Sequence, residues 1–291
     1  MEMCPAGFRR RALCLIIRRK GALMLPLIVR FLHWTAVPMT PPGMFSPFHL
    51  EITAVLVLAA FFLARYFSGR PERPRIRVLA ATGWLLAALE LYKQLFYYFL
   101  VNGGRYDWWY FPFQLCSVPM YLCILLPFVR GRVRRSFCTF MATYNLLGAV
   151  FALAYPADML RAWWAMTLHA FFWHGTLIFI ALLVIFSGMY GKKLRDFAGA
   201  TILFAALAGI AEIINAAGWH LGTIPGTYPD MFYITPYVAT TQPVVRNIAA
   251  AFGIPAANAV YLLCVALLSL LLFAVIRGTP AGRRDNPDRN G

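Results

Sequence analysis

A chain of 291 residues with 61% hydrophobic and 13% charged residues does not have the composition of a soluble globular protein, in which about a quarter of residues are charged. A net charge of +16 would suggest a nucleic-acid partner in a soluble protein, but the Lys and Arg residues form short clusters between apolar runs. That distribution is typical of a polytopic membrane protein oriented by its basic loops. We therefore predict an all-α transmembrane bundle and no nucleic-acid partner.

The N-terminal extension, residues 1–44, has mixed character. Residues 9–20 are basic, and the apolar run over residues 22–39 is interrupted by Arg, His and Pro. This run could be an eighth span, a signal-like or amphipathic segment, or sequence upstream of the true start. We favour a start at Met44, because an apolar run begins directly after it.

Seven segments are long and apolar enough to cross a bilayer, which requires about twenty residues per helix. In chain order they are residues 49–67, 76–100, 111–129, 136–155, 164–187, 198–217 and 256–276. They define a seven-helix transmembrane domain over residues 45–277. The polar tail, residues 278–291, has too few apolar residues to pack and is predicted to be disordered.

Basic residues alternate between the connections. The segments after the first, third, fifth and seventh predicted helices hold most Lys and Arg, whereas residues 101–110, 156–163 and 218–255 hold one or two each. The positive-inside rule places the basic segments in the cytoplasm, so the seven spans start outside and end inside. The long connection at 218–255 is rich in Pro, Gly and Tyr and is a candidate cover for a site beneath it.

Polar side chains in the predicted spans gather in the outer half of the bilayer. Such residues usually face the bundle interior or a water-filled cavity. The predicted cavity residues are Glu90, Gln94, Gln114, Asn145, His169, Glu212 and Asn215. The alternative is that these groups only form interhelical hydrogen bonds, worth about 0.6 to 2 kcal/mol each, and that Glu90 forms a structural ion pair with Lys93.

The six cysteines are scattered, with no C-x-x-C pair and no spacing typical of metal ligands. No disulfide framework, metal site or cofactor is therefore predicted. Cys116 differs from the others because it lies with Gln114 and Ser117 at the head of an apolar helix. A thiolate is a strong nucleophile, and a nearby imidazole can take its proton. His169 or His174 could supply that imidazole, which would permit acyl transfer through a thioester.

The order of these motifs resembles that of a known family. The seven-span layout, the Phe111–Ser117 opening of the third helix and the His174-Gly175 pair of the fifth resemble the YwaF-type bacterial membrane proteins and the transmembrane protein 164 family. The resemblance covers roughly residues 45–276. Met231–Ile234 is similar to a further family element before the last helix, from which Pro229-Asp230 departs.

The resemblance implies an integral protein of a bacterial cytoplasmic membrane that moves a fatty acyl group from a phospholipid donor to a lysolipid acceptor. By motif, Cys116 is the implied nucleophile and His174 the implied acid and base. The same architecture is similar to that of the androgen-induced fatty-ester hydrolases, so hydrolysis of a lipid ester stays open. Two other classes stay open: a transporter with Glu90, Lys93 and Glu212 in a proton or solute site, and a non-catalytic accessory protein.

Overall fold

The computed structural model describes residues 25–278, and in this part of the chain the regular structure is helical, with one isolated β-bridge between Pro38 and Trp163. This confirms the predicted all-α fold. The basic stretch at 9–20 and the tail from 279 onward lie outside the described residues, so the predictions made for them stay predictions.

Along the described residues the chain forms ten α-helices joined by short connections and single turns. In chain order these are α1 (25–35), α2 (Pro47–Ser68), α3 (Glu72–Phe96), α4 (Val118–Leu125), α5 (Gly131–Phe140), α6 (Leu146–Ala154), α7 (Trp164–Phe186), α8 (Leu194–Leu221), α9 (Pro243–Phe252) and α10 (Ile254–Gly278). Turns of π-helix extend α3 (Tyr97–Val101) and join α5 to α6 (Met141–Asn145). Turns of 3-10 helix precede and follow α4 (Leu115–Ser117 and Leu126–Phe128).

The predicted spans all have helical counterparts among these elements. In the part of the chain that the structure describes, five helices are long and apolar enough to cross a membrane: α2, α7, α8, α10 and the continuous helix Gly131–Ala154. The helix of the third predicted span is shorter, Leu115–Phe128, and it begins four residues later than predicted. Phe111 and Gln114 have non-helical backbone there. At Phe111 the cause is Pro112, which disfavours helical geometry in the residue before it.

The predicted basic connections meet at one end of the bundle. Arg134 forms an ion pair with Glu72 at the start of α3. Arg135 Nε lies 3.3 Å from Asp196 Oδ1 in the first turn of α8. These pairs bring the segments after the first, third and fifth predicted spans to one face, and we call this face the basic end.

The three connections with few basic residues meet at the opposite end. The guanidinium of Arg161 lies over the ring of Tyr110, 5.8 Å from its centroid, which joins two of them. The third connection contacts the one that contains Trp108. At Gly218, where this third connection begins, an added Cβ would lie 2.8 Å from the indole of Trp108. The alternation predicted from charge is therefore present in the fold.

Helix α1 belongs to this second end. The Tyr92 hydroxyl of α3 donates a 2.7 Å hydrogen bond to Thr35 Oγ1, and Leu32 of α1 is buried. The Met39 N–H donates to the carbonyl oxygen of Ala162 at 2.9 Å. The described part of the ambiguous apolar run is thus a helix packed against α3.

Two glycines let pairs of helices approach closely. A Cβ at Gly175 of α7 would lie 3.0 Å from the Cβ of Leu56 on α2. A Cβ at Gly83 of α3 would lie 2.9 Å from the Cβ of Cys123 on α4. Since interhelical packing in membranes depends on small residues at such contacts, these two crossings fix how α7 and α4 sit in the bundle.

Candidate functional site

The connection between α8 and α9 turns back into the bundle at the end opposite the basic end. Residues 229–236, here called the cap loop, are the buried part of this connection. Of the six consecutive residues 230–235, all but Tyr233 are at most 1% exposed: Asp230, Met231, Phe232, Ile234 and Thr235. Irregular backbone at this depth must find hydrogen-bond partners in the surrounding protein.

Gln114 supplies one such set of partners from the head of the Cys116 helix. Its Nε2 donates a 2.9 Å hydrogen bond to the Asp230 carbonyl oxygen, and its Oε1 accepts a 2.9 Å bond from the Phe232 N–H. The Gln114 amide therefore faces the cap loop and holds its backbone.

Two asparagines supply further hydrogen-bond partners for the cap-loop backbone. Asn215 on α8 accepts a 2.7 Å bond from the Met231 N–H and donates a 3.2 Å bond to the same residue's carbonyl. Asn258 on α10 donates to the carbonyl oxygens of Ile234 at 2.6 Å and Thr235 at 3.2 Å. Sequence reasoning missed Asn258, although it is an amide in an apolar span, the same signal that selected Asn215.

These bonds hold an uncommon backbone conformation. Phe232 and Tyr233 have φ values of 59° and 58°, which bulky residues rarely adopt. Such conformations persist where the surrounding structure imposes them, and they concentrate at functional sites. The cap loop is therefore a fixed part of the candidate site.

Cys116 lies deep in the bundle, although its helix has only just begun. Trp173, in the middle of α7, donates from Nε1 to the Cys116 carbonyl oxygen at 3.0 Å. The Cys116 backbone thus contacts the turn of α7 that carries His174. Its thiol is half-buried and sits in the 3-10 turn that leads into α4. The partial positive charge of a helix N-terminus favours a thiolate at such a position.

His174 has a defined tautomer. Its Nδ1 donates a 2.8 Å hydrogen bond to the carbonyl oxygen of Ala170, one turn earlier on α7. In the neutral ring this leaves the lone pair on Nε2, so Nε2 is the atom that can accept a proton. Among residues 25–278 no hydrogen bond joins this imidazole to the Cys116 thiol.

His169 is held differently. Its Nε2 donates to the Leu89 carbonyl oxygen of α3 at 3.1 Å, and its ring stacks on Trp173 with centroids 5.7 Å apart. This histidine therefore fixes α7 against α3 and orients the indole that contacts Cys116. The structure separates its role from that of His174, as the angle between them on the helix indicated.

A partly buried ion pair on α3 lies in electrostatic range of these groups. Lys93 Nζ is 2.9 Å from Glu90 Oε2, and Gln94 Nε2 donates to the other carboxylate oxygen of Glu90 at 2.6 Å. Gln94 also donates to the Tyr110 carbonyl. Lys93 lies within electrostatic range of the three groups named above, Cys116, His169 and His174.

Two predicted cavity residues lie apart from this arrangement. Asn145, in the π turn after α5, donates to the carbonyl oxygens of Met141 at 3.2 Å and Leu177 at 3.0 Å, so it joins two helices in the core. Glu212 is half-buried on α8 and lies in electrostatic range of Asp230. In the described chain no hydrogen bond or ion pair of the Glu212 carboxylate is present.

Burial is the largest influence on the pKa values of two carboxyl groups in the connections at this end. It raises the pKa of Asp230 to about 6, although the Thr235 N–H donates to Oδ1 at 2.9 Å. It also raises the pKa of Asp107. In the described part of the chain, no three His, Cys, Asp or Glu side chains come together as metal ligands.

A bundle of apolar helices, with buried polar groups at one end and basic connections at the other, defines an integral membrane protein. The chain belongs to the TMEM164 family, whose profile matches residues 44–277. No curated protein and no solved structure is similar enough to match the sequence.

Proposed function

We propose that this protein is a membrane-embedded acyltransferase that moves a fatty acyl group from a phospholipid through a thioester on Cys116. The observation that supports the proposal is the hydrogen bond from Trp173, the neighbour of His174, to the carbonyl oxygen of Cys116. Cys116 carries a half-buried thiol at a helix N-terminus, and the His174 imidazole has a free Nε2. Lys93 lies in electrostatic range of both groups.

The two half-reactions follow from ordinary thiol chemistry. His174 Nε2 takes the thiol proton, and the thiolate attacks the ester carbonyl of the donor. The leaving lysolipid alkoxide takes the proton back from the imidazolium, which leaves the acyl group on sulfur. His174 then takes the proton of an acceptor hydroxyl as that oxygen attacks the thioester, and the thiolate departs. Hydrogen bonds of this kind often tighten only when substrate is bound, so their absence between the free side chains is compatible with the scheme.

The proposal also includes the orientation of the chain in the membrane. We assign the basic end to the cytoplasm and the cap-loop end to the outside of a bacterial cytoplasmic membrane, following the positive-inside rule. The chain then enters α2 from outside and leaves α10 inside. Cys116 and His174 lie in the outer half of the bilayer, where a phospholipid ester could reach them from the outer leaflet.

Transfer and hydrolysis differ only in the acceptor. A lysolipid hydroxyl accepts the acyl group in the first case and water in the second. We favour transfer because the thiol is half-buried among apolar helices, which makes a lipid acceptor more accessible than bulk water.

The test is acyl-enzyme formation in purified protein reconstituted into lipid nanodiscs. A phospholipid with a radiolabelled acyl chain is expected to label wild-type protein in a bond that hydroxylamine cleaves, as it does thioesters. Cys116→Ala is expected to abolish the label, and His174→Ala to slow its formation by about 10²-fold or more.

Cys264→Ala is the matched control, because Cys264 is an exposed thiol on α10 and would report non-specific acylation. Label that persists in Cys116→Ala, or lipid turnover that is the same in both cysteine variants, contradicts the proposal. The non-catalytic alternative predicts that no single substitution at this site removes an activity.

A further inference from the structure

Two tyrosine hydroxyls near Cys116 lack partners. Tyr233 of the cap loop and Tyr261 of α10 are both half-buried. Within residues 25–278 neither hydroxyl takes part in a hydrogen bond. A hydroxyl of a half-buried tyrosine that bonds no protein group is free to donate to a ligand.

Hydrogen bonds on both sides of Tyr233 fix its position. The preceding residue, Phe232, donates its N–H to Gln114, which is two residues from Cys116. The following residue, Ile234, accepts from Asn258 at 2.6 Å. Tyr233 is therefore held, in its left-handed conformation, between the head of the Cys116 helix and α10.

Tyr261 comes to the same place from α10. It lies three residues after Asn258, so both side chains share one face of that helix. Tyr233 and Tyr261 lie in electrostatic range of each other, and each lies in electrostatic range of Cys116. The cap loop and α10 thus place both phenols on the side of the bundle that holds Cys116.

We propose that the hydroxyls of Tyr233 and Tyr261 form the oxyanion hole of the Cys116 site. This inference rests on the proposed acyltransferase function. The other candidate donor, the Gln114 amide, is engaged by the cap-loop backbone, and the Ser117 N–H donates to the Gln114 carbonyl at 2.8 Å.

Attack of the Cys116 thiolate on the ester carbonyl produces the oxyanion. The thiolate lone pair forms the carbon–sulfur bond, and the electron pair of the carbonyl π bond moves to oxygen. Both tyrosines donate hydrogen bonds to this oxygen and keep their protons. When the intermediate collapses, the carbonyl re-forms, the ester carbon–oxygen bond breaks, and the departing alkoxide takes its proton from the imidazolium of His174. The same oxyanion forms again when the acceptor attacks the thioester.

Tyr233 remains a donor at every physiological pH. Burial, followed by the nearby Asp158 and the Cys116 thiol, raises the pKa of its phenol well above the usual value. Donors that are already oriented toward the developing charge need no reorganisation during the reaction, which is why oxyanion holes are effective.

The test uses Tyr233→Phe and Tyr261→Phe, which remove only the hydroxyl oxygen. The measurement is the rate of Cys116 acylation in rapid-quench experiments on the reconstituted protein. Each variant is expected to acylate 10²-fold or more slowly, by analogy with the loss of about 10²–10³-fold for one oxyanion donor, with KM and the thermal midpoint unchanged. The matched control is Tyr237→Phe, a half-buried tyrosine of the same connection that stacks on Trp219 with centroids 4.6 Å apart.

A second readout separates an oxyanion role from a structural one. A long-chain alkyl trifluoromethyl ketone forms a tetrahedral adduct with a thiolate and mimics the intermediate. Both Phe variants are expected to bind it more weakly by about the factor lost in acylation rate, because only the transition-state interaction is removed. A loss in one variant alone overturns the role proposed for the other hydroxyl.

Wild-type acylation rates in both Phe variants overturn the inference while the thioester mechanism stands. Rate losses that follow a lowered thermal midpoint, with ketone binding unchanged, overturn it as well. If wild-type protein forms no acyl-enzyme at Cys116, the proposed function fails first, and the inference falls with it.

Discussion

The side chain of Gln114 accepts a 2.9 Å hydrogen bond from the backbone N–H of Phe232, a residue 118 positions later in the chain. Through this contact the turn that carries Cys116 and the cap loop form one unit. A polar residue at the head of an apolar helix thus has a role that does not require a cavity. It supplies the partner that irregular backbone needs within a membrane.

Replacing Gln114 with Ala is expected to loosen the cap loop. The Asp230 carbonyl and the Phe232 N–H would lose their partner, at a cost of about 1–3 kcal/mol for each buried group left unsatisfied. We expect a lower thermal midpoint in detergent and faster hydrogen exchange at the Phe232 amide. The control is Gln242→Ala in the same connection, since the Gln242 side chain makes no hydrogen bond within the described residues. Equal midpoints for the two variants would show that the Gln114 bonds contribute little.

Asp230 is expected to make stability depend on pH. Burial raises its pKa from 3.8 to about 6, so between these values the folded protein binds more protons than the unfolded chain. Stability should therefore fall as pH rises from about 4 through 6, by about 3 kcal/mol in total, at roughly 1.4 kcal/mol per pKa unit. Asp230→Asn keeps an oxygen for the Thr235 N–H and should flatten this part of the curve and raise the midpoint at pH 7.

Thermal midpoints measured from pH 4 to pH 7 check this expectation. Asp158→Asn is the control, because Asp158 is an exposed carboxylate of another connection at the same end. A variant at Asp230 whose midpoint falls with pH as steeply as that of the wild type would contradict the assignment.

Gly83→Ala is expected to force α3 and α4 apart. The new Cβ would lie 2.9 Å from Cys123 Cβ, and 2.9 Å from the backbone of Ile124 and Met120, atoms that cannot rotate away. Overpacking of this kind costs about 1–3 kcal/mol. The control is Gly209→Ala on α8, where nothing lies within 4 Å and a gain of about 0.5–1 kcal/mol from helix propensity is expected. Thermal midpoints of the two variants that move in the same direction would contradict this account of the α3–α4 contact.

The proposed topology can be measured with single cysteines in a background without the native ones. Thr227→Cys lies on an exposed part of the connection that bears the cap loop, and Arg132→Cys lies in the exposed first turn of α5 at the basic end. A membrane-impermeant maleimide added to intact cells is expected to label the first and spare the second. Labelling only at position 132 would reverse the assignment of the two faces.

The sequence by itself determined the fold class, the approximate positions of the apolar helices and the alternation of basic connections. These properties are local, because length, hydropathy and loop charge decide whether a segment can cross a bilayer and in which direction. It also marked Gln114, Asn215 and Cys116 as polar groups that must have partners, because lipid provides none.

Only the tertiary structure decided what those partners are. Gln114 and Asn215 bond the cap loop, a contact between residues up to 118 positions apart that no local pattern encodes. The helix begins only at Leu115, and the carbonyl oxygen of Cys116 in its first turn accepts a hydrogen bond from Trp173 of α7. Tyr233 looks like an ordinary loop residue in the sequence, and hydrogen bonds from separate helices hold the backbone on both sides of it. Hydropathy specifies that a helix is inserted, whereas the packing of all the helices specifies which polar side chains meet.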